Sequence, residues 1–69
     1  MKKSIDRVMG LLNTITLNRN NAIGTTIITL LFTDLILCKE FIYRMYGLSY
    51  TQSELRSIIN LLEQEGKWN

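Results

Sequence analysis

AIGTTIITLLFTDLILCKEFIYRMY, residues 22–46, is the stretch whose reading decides the fold. Placed at 100° per residue, Ile23, Ile27, Leu30, Leu31, Leu35, Leu37, Cys38, Phe41, Ile42, Met45 and Tyr46 fill a broad apolar arc. Thr26, Thr29, Thr33, Glu40 and Arg44 form the continuous polar stripe, with Glu40 and Arg44 spaced for an i,i+4 pair. The threonines lower helix propensity, and residues 23–28 also read as a strand. No other segment alternates with period two to pair with such a strand, so the spacing predicts one helix over residues 22–46, about 37 Å long. A helix apolar around most of its circumference needs cover: its own flanking helices, a second copy, another protein or lipid.

The flanks supply two shorter helices. Ser4 is placed to cap the first, over residues 5–17, with Asp6 in its opening turn. Ile5, Val8, Met9, Leu12, Ile15 and Thr16 fall on one face, and the run Asn18-Arg19-Asn20-Asn21 ends it. Gly47 is the natural stop of the long helix, with Leu48 as the apolar residue such a stop tucks back. Thr51-Gln52-Ser53-Glu54 is a capping box: the Thr51 hydroxyl caps, and Glu54 reaches back to the Thr51 amide. A helix over residues 52–65 follows, with Leu55, Ile58, Ile59 and Leu62 on one narrow face and Gly66 closing it. The expected fold is therefore all-α with three helices in a single small domain, residues 1–69. Helices one and two form an antiparallel hairpin, and the third packs on the C-terminal half of the second.

Size and charge narrow the function classes. A 69-residue chain is marginal alone, and the common supports are disulfides, metal or oligomerisation. One cysteine, Cys38, allows no internal disulfide, and the absence of histidine disfavours structural zinc. Oligomerisation or a protein partner is the remaining support. Net charge is +2, with residues 1–46 carrying six basic and three acidic side chains and residues 47–69 two and three. That balance does not by itself point to nucleic acid. Lys2 and Lys3 precede no cleavable apolar core, and a lone reduced thiol fits an intracellular, cytoplasmic setting.

No paired acid and base, metal cluster or phosphate loop is visible, so no catalytic, cofactor-binding or metal-ligating residue is assigned and an enzyme is not expected. Asp34, the one charge inside the apolar arc, must find a partner or a proton if buried. Arg7 or Asn13 of the first helix would serve, or a basic residue of a binding partner. Cys38 reads as a small buried hydrophobe. Asp34, Ile36, Leu37, Phe41 and Trp68 are the interface candidates, Trp68 because tryptophan is enriched among energetically dominant interface residues. Residues 22–38, 17 in number with Asp34 as the one charge, sit at the lower limit of a membrane span, which gives a third reading as a small membrane protein.

Residues 40–49, EFIYRMYGLS, and 51–66, TQSELRSIINLLEQEG, resemble a helix-turn-helix of the winged type. In that family a glycine turn precedes a capped recognition helix ending in a Leu-Glu-x-x-Gly pattern, here Leu62 to Gly66. The resemblance implies that Gln52, Ser53, Arg56 and Asn60 point outward to read base edges. The segment departs from the family in its longer turn, and three glutamates against Arg56 on that helix repel phosphate. The leading expectation is a non-enzymatic regulatory, inhibitory or adaptor protein working through a helical surface, as homodimer or with a protein partner. Short chains of this type are common in viruses and mobile elements. The alternative is a DNA-binding helix-turn-helix regulator.

Overall fold

The computed structural model describes residues 2–65, with side chains from residue 5 onward. Among these residues the chain is all-α, with four helices and no strand: α1 Lys2–Leu17, α2 Ala22–Thr33, α3 Leu35–Tyr46 and α4 Gln52–Glu65. The expectation of three helices is corrected at one residue. Asp34 takes an extended conformation, φ −155° and ψ 97°, and splits residues 22–46 into α2 and α3.

The break keeps its backbone hydrogen bonds. The Asp34 amide donates to the Leu30 carbonyl at 2.7 Å, closing α2, and the Asp34 carbonyl accepts from the Cys38 amide at 2.9 Å, opening α3. The side chain does the rest: Oδ1 accepts from the amides of Ile36 and Leu37, each at 3.1 Å. These are two of the donors that a helix start leaves without internal partners. Asp34 is thus an exposed N-cap and not a buried charge. The expected partnership with Arg7 or Asn13 does not form.

α1 buries Val8, Leu11, Leu12 and Ile15, a stripe at helical spacing. Its start lies earlier than expected, which puts Ser4 inside the helix and Asp6 beyond the first turn. The buried stripe is rotated towards Leu11, leaving Ile5 and Met9 at least half exposed and Thr16 outside. The α1–α2 turn is built by asparagines. Asn18 Nδ2 donates to the Thr14 carbonyl at 2.8 Å, and Asn21 Nδ2 to Asn18 Oδ1 at 2.8 Å. Asn21 Oδ1 caps α2 by accepting from the Gly24 amide at 3.2 Å. Gly24 passes so close to the Asn18 carbonyl that no Cβ fits there.

Gly47 ends α3 as the sequence implies, at φ 69°, its amide donating to the Tyr43 carbonyl at 2.8 Å. Leu48, expected to tuck back, is 44% exposed, and Tyr50 turns inward instead. The capping box forms in full: Glu54 N–H donates to Thr51 Oγ1 at 3.1 Å and Thr51 N–H to Glu54 Oε1 at 2.9 Å.

α4 then packs across α1, α2 and α3 rather than on α3 alone. Leu55, Ile58 and Leu62 are fully buried in one cluster with Ile15, Ile27, Cys38 and Ile42. Every helix therefore contributes to a common core, and burial of such side chains is worth about 1.5–3 kcal/mol each.

Candidate interaction surface

Hydrogen bonds between distant parts of the described chain meet around Arg7. Arg7 of α1 donates from Nε to Glu54 Oε2 at 3.0 Å and from Nη2 to Oε1 at 3.3 Å. Nη2 also donates to the Ser49 carbonyl. Its guanidinium lies 4.6 Å from the centroid of the Tyr50 ring, a cation–π contact, and Tyr50 Oη donates to the Arg7 carbonyl at 3.3 Å. Glu54 is 8% exposed, and its hydrogen bond raises the Arg7 pKa further above its ordinary value. Burial pushes the Tyr50 hydroxyl up as well, Arg7 opposing and Glu54 adding. These groups satisfy one another and tie α1 to the α3–α4 loop, so this knot is structural. Sequence reasoning found Glu54 as a cap but not Arg7 as its second partner, 47 residues away.

Cys38 is also structural. It is fully buried, and burial raises its thiol pKa to about 11. At neutral pH burial holds the thiol protonated.

What faces solvent is apolar to an unusual degree on α3. Ile36 is 69% exposed, Leu37 49% and Tyr43 58%, joined by Phe32 before the break and by Met45, Tyr46 and Leu48 after it. Ile36, Glu40 and Tyr43 succeed one another at i, i+4 and i+7 on the outward face; Leu37, Phe41 and Arg44 form the adjoining row. Leu30, Leu37 and Phe41 line an open groove of about 220 Å³ with Glu40 and Arg44 at its edge. Arg44 Nη2 donates to Glu40 Oε2 at 3.3 Å, the i,i+4 pair legible in the sequence. Of the interface candidates, Leu37 and Phe41 thus meet in one groove. Ile36 stands beside it, Asp34 caps the helix that carries it, and Trp68 lies outside the described residues.

A second groove, of about 430 Å³, runs between α1 and α4 and is lined by Ile5, Val8, Met9, Ser57, Asn60 and Leu61. The wheel of α1 missed it because Ile5 and Met9 read as core. Gln52, Ser53, Arg56 and Asn60 are all exposed on α4, with Gln52, Arg56 and Asn60 one helical turn apart in a row. Five residues, 47–51, separate α3 from α4, a longer turn than in the helix-turn-helix it resembles. No helix among the described residues is long and apolar enough to cross a membrane.

No family model, curated protein or solved structure matches the chain.

Proposed function

We propose that this chain is a non-enzymatic helical interaction protein, of regulatory, inhibitory or adaptor type, that binds a protein partner through the outward face of α3. One observation carries the reading: the large apolar side chains of Ile36, Leu37 and Tyr43 stand in water on a helix that already buries Cys38 and Ile42 in the core. Exposure of this kind on one helix face is costly unless covered. The Glu40–Arg44 pair at the groove edge supplies the polar rim typical of an interface. The burial and raised pKa of Cys38 support a non-catalytic role. An intracellular setting fits a thiol kept reduced. Leu37→Arg is the test, because it places a charge in the groove without touching the core. It should abolish partner binding while the circular dichroism spectrum and melting midpoint stay unchanged.

A second reading, duplex DNA binding by α4, is favoured by the row Gln52, Arg56 and Asn60 on its exposed side. It ranks lower because Arg56 is the one cation of α4 against Glu54, Glu63 and Glu65.

A further inference from the structure

We infer that the chain forms a domain-swapped dimer with a second copy of itself, by straightening α2 and α3 into one helix about Asp34. The inference does not rest on the proposed function, though both draw on the exposure of Ile36 and Leu37, and its test uses the chain alone. The buried or half-buried positions Ile27, Leu31, Leu35, Cys38 and Ile42 succeed one another at spacings of four, four, three and four. That is the stripe of one continuous helix, and it runs through the break without a change of phase. No proline enforces the bend, and one residue alone departs from helical geometry.

Straightening leaves the two capped amides with hydrogen-bond partners. In the bent form the amides of Ile36 and Leu37 are held by Asp34 Oδ1 at the protein surface. In a continuous helix the same amides bond the carbonyls of Phe32 and Thr33, four residues earlier. Straightening carries α3 and α4 away from α1 and α2. A second chain opened the same way returns them, remaking the Arg7–Glu54 pair and the packing of α4 on α1 and α2 between copies. The hinge also has the surface a swapped pair needs. Phe32, Ile36 and Leu37, all exposed, lie within three residues of Asp34. On a straight helix Phe32 and Ile36 share a face with Asp34 opposite, so two hinge segments crossing at a two-fold axis meet through apolar side chains and not through two carboxylates.

The test is refolding from urea at low and high protein concentration, read by light scattering and circular dichroism. Wild type refolded concentrated should contain a species of twice the 8.0 kDa chain. Asp34→Ala removes the cap and favours helix at the hinge, and should raise the dimerisation constant roughly tenfold or more, two caps being lost per dimer. Arg7→Glu and Glu54→Arg, refolded together, should form a heterodimer that melts above either variant alone, because only exchange of elements brings opposite charges together at both sites. Folded, monomeric protein from both wild type and Asp34→Ala would overturn the inference. So would a dimer whose formation leaves the co-refolded charge variants no more stable than when refolded separately, since that dimer would be held by surfaces alone.

Discussion

Cys38 Sγ lies 3.9 Å from the carbonyl oxygen of Ile27, eleven residues earlier in the chain. On a straight helix those positions would be separated by about 16 Å along the axis. The contact measures how sharply the chain turns at Asp34, and it places the thiol at the packed junction of α2 and α3. Burial sets the chemistry of Cys38 and gives the fold one source of an alkaline pH response.

Cys38 should resist thiol reagents in the native state and react at once in denaturant. Its pKa is raised from 9.0 to about 11 by burial. A pKa higher in the folded than in the unfolded chain means that the folded state holds the proton longer. Stability is therefore full below pH 9 and declines as pH rises towards 11, by roughly 2–3 kcal/mol. Urea midpoints from pH 7 to 11 check the sign; Cys38→Ala should remove the Cys38 share of the decline and leave the share from Tyr50, whose pKa burial also raises.

Two glycine substitutions should act in opposite directions. A Cβ at Gly24 would run into the backbone carbonyl of Asn18, whereas a Cβ at Gly10 meets nothing within 4 Å. Gly10→Ala should stabilise by about 0.5–1 kcal/mol through helix propensity. Gly24→Ala gains the same propensity but forces the α1–α2 turn apart, for a net loss of roughly 1–3 kcal/mol. Urea unfolding of the two variants reads both signs.

Glu54→Ala should cost more than an ordinary cap deletion. It removes the acceptor of the Thr51 amide and of Arg7 together. A loss of roughly 1–3 kcal/mol is expected. Glu54→Gln keeps an acceptor for the Thr51 amide and should recover part of it. Equal losses in the two variants would mean that the charge on Glu54, and not the cap, dominates.

The capping box, the Gly47 stop and the Glu40–Arg44 pair were legible in the sequence because each depends on neighbours within one or two turns, and the burial of Cys38 because it lies in the apolar arc. The break at Asp34 was not, because the apolar stripe from Ile27 to Ile42 keeps helical phase across it. Aspartate is a favoured N-cap and a poor helix-interior residue, so a signal was present at Asp34. It was outweighed by the period of its neighbours. The pairing of Arg7 with Glu54 joins residues 47 apart and leaves no local trace. The exposure of Ile36 agrees with its place opposite Leu35, Cys38 and Ile42 on the wheel, whereas Leu37, read as part of the apolar arc, is half exposed.

Duplex DNA should bind weakly, and any binding should fall steeply with added salt, since α4 presents one arginine among three glutamates. Fluorescence anisotropy on mixed-sequence duplexes reads this. Sequence-selective binding near physiological salt, lost in Arg56→Ala, would move α4 from a packing helix to a reading helix.

The groove of α3 is tested most directly by affinity capture from cell extract with three baits compared quantitatively: wild type, Leu37→Arg and Arg56→Ala. A protein retained by wild type and Arg56→Ala but lost with Leu37→Arg is the expected result. Retention of the same proteins by all three baits, or retention of nucleic acid dependent on Arg56, would contradict binding through α3.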